Sequence, residues 1–239
     1  MRSLREEFAA LVRDGTLGRG ALEIARIAYP DLQPEGHLAD LARLAEAVRP
    51  AIDARMPPED IALAVGDHLF RTCGFHGNTE DYYDPRNSFL NDVLERRTGI
   101  PISLSVVFIE VSRRLGLAVE GVGFPGHFLV RVAGQRGSLL LDPFFGGRRV
   151  DQAELLERLR ALPGRPEMRE LPPEALPTPS RQSTSCSSSS PIPPTTSGRA
   201  APSTNASAAC PPPLPTSAAT STSLPIAPQP TTSANAWSA

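Results

Sequence analysis

Up to about residue 115, apolar positions recur every three to four residues; the spacing then shortens to strand-like runs, and after residue 175 apolar residues stand singly. Leu4, Phe8, Leu11 and Val12 form a first helical stripe, and Leu22, Ile24, Ala25, Ile27 and Ala28 a second that Pro30 closes. Residues 37–53 repeat the pattern through Leu38, Leu41, Leu44, Ala45 and Val48. Pro57 and Pro58 open a fourth helix with Ile61, Val65, Leu69 and Phe70 inside and Gly74 past its end. Asn87 is a good N-cap for a helix over 89–97 that buries Leu90, Val93 and Leu94 and that Gly99 stops. Pro101 precedes the next helix, capped by Ser103, with Leu104, Val107, Phe108, Val111 and Leu115 inside and Arg113-Arg114 in a basic last turn before Gly116. Residues 118–122, 127–133 and 138–141 are rich in β formers, and the last two runs are joined by a hairpin turn, Gly134-Gln135-Arg136-Gly137. Asp151 caps a final helix that runs to Leu162, where Pro163-Gly164 closes the regular structure.

Composition divides the 239 residues in the same place. All 26 acidic residues and 22 of the 24 basic ones lie at or before Glu174, so the folded part is mildly acidic and the tail keeps only Arg181 and Arg199. The tail is mostly Pro, Ser, Thr and Ala and cannot bury enough apolar surface to offset its ordering entropy. We therefore expect one domain over 1–165 and a disordered tail over 166–239. A shifted reading frame in a GC-rich gene produces this composition as readily as a low-complexity linker does, and both origins stay open. Every basic residue is arginine, yet no basic stripe with interleaved aromatics is present, which argues against nucleic acid. The N-terminus lacks the apolar run of a signal peptide and no window approaches a membrane span, so the expected location is cytoplasmic.

Three cysteines, Cys73 in the domain and Cys186 and Cys210 in the tail, do not form a disulfide framework. Cys73 is expected to be a small buried hydrophobe just before Gly74. His68, His76, Glu80 and Asp81 have no metal-site spacing, and neither a metal nor a cofactor is expected.

Candidate chemistry gathers between 87 and 147. Ser103 at a helix start, His127 at the head of a β run after Pro125-Gly126, and Asp142 before Pro143 are a nucleophile, a base and an orienting carboxylate, provided that they converge. Capping alone explains a serine at 103, and that reading is preferred to a nucleophile, whereas Asp142 is equally a turn former. Residues 75–85 form a polar, Gly- and Pro-punctuated loop whose Tyr82 and Tyr83 either line a pocket or pack the loop down.

The segments NSFLNDVLERRTGIPISLS, RRLG, FPGHFLVRV and LDPFFGG, with ALEIARIAYPDL and GFHGN before them, resemble the transglutaminase-like superfamily, in particular its SirB-type bacterial branch, over residues 15 to 165. The resemblance implies a papain-like α+β fold with a helical N-terminal half and a small antiparallel sheet. It also implies a catalytic cysteine at a helix N-terminus, a histidine on one strand and an aspartate on the next. Carried over, these positions are Ser103 (or Ser105 with a small shift), His127 and Asp142, so serine stands where the family has cysteine. Members of that branch continue into a tetratricopeptide-like helical half, where this chain has its Ser/Thr/Pro tail. Serine has no thiolate to offer, and a site shaped for sulfur holds a hydroxyl too far back by about an ångström, which costs ~100-fold. Two functions are therefore expected. One is a binding or regulatory module, weakly active or non-catalytic, whose cleft is bordered by Ser103, Ser105, His127, Asp142, Tyr82, Tyr83 and Asn87 and takes a protein or peptide partner. The other is a serine-based acyl hydrolase or transferase using Ser103, His127 and Asp142. Substrate and oligomeric state are not encoded legibly.

Overall fold

The structure, a computed structural model, describes residues 17–135 and 137–161 together with Cys210 and Pro212. The stripe at Leu4–Val12 and the rest of the tail lie outside the described residues. Helices α1 (Leu17–Ala25), α2 (Pro34–Val48) and α3 (Pro58–Gly66) come first. Proline opens α2 and α3, where its missing N–H costs nothing. α2 stops short of the expected 53 because Pro50 cannot donate to the helix, and Arg49–Ala51 tightens into a 3-10 turn. α3 widens into a π-helical segment, Asp67–Thr72, that Gly74 ends with φ +72°.

Strand β1 (His76–Gly77) follows, then a 3-10 turn Pro85–Asn87, α4 (Leu90–Arg96), β2 (Thr98–Gly99) and the 14-residue α5 (Pro101–Arg114). Three terminus assignments change here. Phe89, not Asn87, is the N-cap of α4; Asn87 ends the 3-10 turn and turns its amide inward. Arg97, at φ 58°, ends α4 in the left-handed conformation, while Gly99 lies in β2. Ile100 is the N-cap of α5 and Ser103 stands three residues inside it. β1 and β2 pair in parallel, His76 opposite Thr98 and Gly77 opposite Gly99, which clamps one end of the 75–85 loop. Strands of two residues show no alternation and leave no sequence signal.

The chain then forms an antiparallel meander of β3 (Val119–Phe124), β4 (His127–Gly134), β5 (Gly137–Asp142) and β6 (Arg148–Arg149), and ends in α6 (Gln152–Ala161). Pro125-Gly126, with Gly126 at φ +72°, is the two-residue turn between β3 and β4. Strand alternation sorts the sheet into two faces. Val119, Val130, Val132 and Leu141 join Val107, Phe108 and Val111 of α5 in the main core, with α2 packed against that helix and α3 against both the helix and β4. Val122, Phe124, Leu129 and Leu140 face the other way and are covered by Leu155 and Leu159 of α6. Those two leucines are fully buried, which contributes about 1.5–3 kcal/mol each. The architecture is the expected α+β fold, helices first and a small antiparallel sheet after.

Cys73 is not a free thiol. It is disulfide-bonded to Cys210, 137 residues away, and Arg43 donates to the carbonyl of Pro212, so two points of the tail touch the helical half. Spacing could not show this pairing because it joins the two compositional halves. Among the described residues no helix is long and apolar enough to cross a membrane.

Candidate functional site

His127 opens β4 and Asp142 closes β5, diagonal to each other at the end of the β4–β5 ladder and on the same face of the sheet as Leu129 and Leu140. The His127 Nε2 lies 2.9 Å from both carboxylate oxygens of Asp142. The carboxylate is fully buried and the imidazole side chain is 5% exposed. The Phe145 N–H also donates to Asp142 Oδ1, and the Gly147 N–H to the Asp142 carbonyl, so the loop after β5 wraps its own aspartate. With its acceptor against Nε2, the neutral imidazole carries its proton there and its lone pair on Nδ1. The ring lies among aromatics: Phe144 edge-on at 6.1 Å, Phe145 tilted at 5.9 Å, and Tyr82 against Phe144 at 6.0 Å. Tyr83 packs edge-on against Tyr82, which completes a row of rings from the surface to the imidazole. Burial raises the Tyr82 phenol above its ordinary value, and the nearby Tyr83 adds to the shift.

Ser103 serves a different set of partners. Its hydroxyl donates to the Asn87 carbonyl at 2.6 Å, has the Ile100 carbonyl at 3.2 Å, and accepts the Ile100 N–H at 3.1 Å. Among the described residues its hydrogen bonds all go to main chain. A hydroxyl has one proton, and here that proton is committed to a carbonyl and not to an imidazole. Ser103 thereby ties the start of α5 to the 3-10 turn before α4. Ser105 is wholly buried and donates to the Pro101 carbonyl at 2.7 Å, a bond back along its own helix.

Asn87 is also wholly buried, but it organises the loop that carries the tyrosines. Its amide nitrogen donates to the carbonyls of Asp81 and Tyr82, and its oxygen accepts from the Asn78 amide. Tyr82 and Tyr83 remain 39% and 62% exposed, and Ile102, in the first turn of α5, is 50% exposed. The structure thus joins His127 to Asp142 and connects Tyr82 and Tyr83 to them through Phe144, while Asn87 and Ser103 are joined to each other.

Arg158, Arg148 and Glu154 were missed by sequence reasoning. Arg148 donates to Glu154 at 2.9 and 2.5 Å, Arg158 pairs with Glu154 at 2.7 Å, and an Arg158 nitrogen lies 3.9 Å from Asp142. The i,i+4 spacing of Glu154 and Arg158 was visible, but such pairs are ordinarily solvated and worth only a few tenths of a kcal/mol, roughly 0.2–0.5.

A family profile described as the transglutaminase-like superfamily matches residues 35–182. A UPF0162 protein of Xylella fastidiosa (strain 9a5c) is 50% identical over 141 residues, 59% of this chain and 50% of that protein. A UPF0162 protein of Vibrio cholerae is 33% identical over 143 residues, 59% of this chain and 51% of that protein. F-box only protein 21 of Mus musculus is 39% identical over 99 residues, 38% of this chain but 16% of that protein. The chain spans about half the length of the curated bacterial relatives it matches. No solved structure matches it. With a matched region that contains α2 through α6 and the His127–Asp142 pair, the chain belongs to the transglutaminase-like superfamily.

Proposed function

We propose that this domain is a binding or regulatory module of the SirB-type branch, with weak or absent catalysis, that takes a protein or peptide partner against the row formed by Tyr83, Tyr82, Phe144 and His127. The observation that carries this reading is the Ser103 hydroxyl, whose proton goes to the Asn87 carbonyl at 2.6 Å. To act as a nucleophile the side chain would have to break that bond and abandon the Ile100 N–H, leaving polar main-chain groups without partners in the interior, at about 1–3 kcal/mol each. A block shared by bacterial proteins and by a mouse protein of which it forms 16% fits a portable module. Exposed tyrosines suit peptide contact, since they bring large amphipathic area at small entropic cost.

A serine-based acyl hydrolase is the second reading, favoured by the His127–Asp142 geometry, which is the base-and-carboxylate half of such a site. Treatment of the full chain with a fluorophosphonate probe separates the two. The module reading expects no labelling at Ser103; labelling that disappears in His127→Ala overturns it.

A further inference from the structure

Behind the His127–Asp142 pair stands a charged brace whose geometry points at the carboxylate. Arg148 of β6 and Arg158 of α6 grip the same Glu154 from two elements, at 2.9 and 2.5 Å from the first and 2.7 Å from the second. Glu154 is held below the ordinary carboxyl range, first by its bonds from Arg148, so it remains the anionic centre of this brace near neutral pH. A guanidinium is planar, so fixing one of its nitrogens on Glu154 fixes the direction of the others. The second terminal nitrogen of Arg158, Nη1, is buried and has no hydrogen-bond partner among the described residues. It lies 3.9 Å from Asp142 Oδ2.

The surroundings separate this arrangement from an ordinary surface ion pair. Asp142 is 0% exposed and the Arg158 side chain 20%. Strand alternation turns Asp142 and His127 to the face that α6 covers, and Arg158 lies on α6 between the buried Leu155 and Leu159 in sequence. The cation therefore approaches the carboxylate from the helix, while the imidazole and the Phe145 N–H hold it from the sheet and the loop.

We propose that Arg158 is a positioning residue for the His127–Asp142 pair: from 3.9 Å it holds the Asp142 carboxylate turned toward Nε2, which fixes the imidazole with its proton on Nε2 and its lone pair on Nδ1. Arg158 touches neither a ligand nor the imidazole in this role; it acts through Asp142, and Arg148 and Glu154 hold it in place. The proposal rests on the reading that His127 and Asp142 form the polar centre of the site, and it applies to the binding module and to the hydrolase alike.

The test is the tautomer of His127, read from long-range proton–nitrogen correlation spectra of the full chain carrying ¹⁵N-labelled histidine at a pH where the ring is neutral. The wild-type protein is expected to show the Nε2–H form. Arg158→Gln is expected to move the two ring-nitrogen shifts toward a mixed or Nδ1–H pattern, and Arg158→Lys, which restores a cation, to recover much of the wild-type pattern. Melting curves establish that the variants are folded. If Arg158→Gln keeps the wild-type tautomer while Asp142→Ala loses it, or only lowers the melting temperature, the positioning role is overturned. A wild-type protein that does not show the Nε2–H form refutes the His127–Asp142 reading itself, a different failure from that of Arg158.

Discussion

The hydroxyl of Ser103 lies 2.6 Å from the point that a Cβ on Gly99 would occupy. Gly99 is therefore small because Ser103 fills its side-chain space, with Leu104 and Val93 each 3.3 Å from the same point. Gly99→Ala must displace the hydroxyl from its bonds to the Asn87 carbonyl and the Ile100 N–H, or move the β2 backbone. We expect a loss of about 1–3 kcal/mol, the range for overpacking and for broken buried hydrogen bonds. Urea unfolding checks it. In a Ser103→Ala background the same substitution should cost measurably less, since the closest clashing atom is gone; equal costs in both backgrounds would contradict the contact.

Gly77 bears on the site more directly. A Cβ there would meet the Phe144 ring at 2.5 Å and the Phe144 carbonyl oxygen at 2.7 Å. The ring could swing away, but the carbonyl is main chain and cannot, so Gly77→Ala should shift the loop after β5 and disturb the ring contacts that Phe144 makes with Tyr82 and His127. The expected cost is about 1–3 kcal/mol, accompanied by shifts in the aromatic resonances of Tyr82 and His127. Unchanged resonances would show that the loop absorbs the methyl without passing the strain on.

These two glycines mark where sequence reading stopped. Helices announced by period and by Pro at their first turn were legible, as were the Gly74 and Gly116 stops, because those signals are local. The pairing of His127 with Asp142 could be anticipated, since adjacent strands joined by a short turn bring their far ends together. The main-chain duty of Ser103 could not: its acceptor is a carbonyl 16 residues earlier, placed by a 3-10 turn that has no periodic signature. The Arg158 contact was invisible for a similar reason, because only tertiary packing of α6 on the sheet brings a helix-surface arginine to a buried aspartate.

His68 gives the protein a pH dependence of its own. It is buried in the π-helical segment with its Nε2 3.4 Å from the Cys73 sulfur, and burial lowers its pKa below the ordinary 6.5, the charge of Asp67 opposing that shift and Arg97 adding to it. The folded state thus binds this proton less readily than the unfolded chain, so the contribution to stability is complete above pH 6.5 and is lost as pH falls toward and through the lowered value. Urea midpoints measured from pH 7.5 down to about 5.5, above most carboxylate titration, should fall for the wild-type protein and fall less steeply for His68→Gln. Parallel slopes would assign the acid sensitivity to other groups.

The His127–Asp142 pair itself should be measurable as a coupling. Asp142→Ala removes the acceptor of both the imidazole and the Phe145 N–H in a site that water does not reach from the carboxylate side. Leaving such donors unpaired costs about 2–4 kcal/mol in all. His127→Ala alone leaves the buried carboxylate short of its nearest donor, though still held by the Phe145 N–H and near Arg158. Because each single substitution strands the other partner, the double variant should be more stable than the summed losses predict, by about 0.5–3 kcal/mol. Equilibrium unfolding of the four proteins gives that number. Strict additivity would mean that the two side chains do not depend on one another in solution, and the site would then have no fixed imidazole with which to bind a partner or accept a proton.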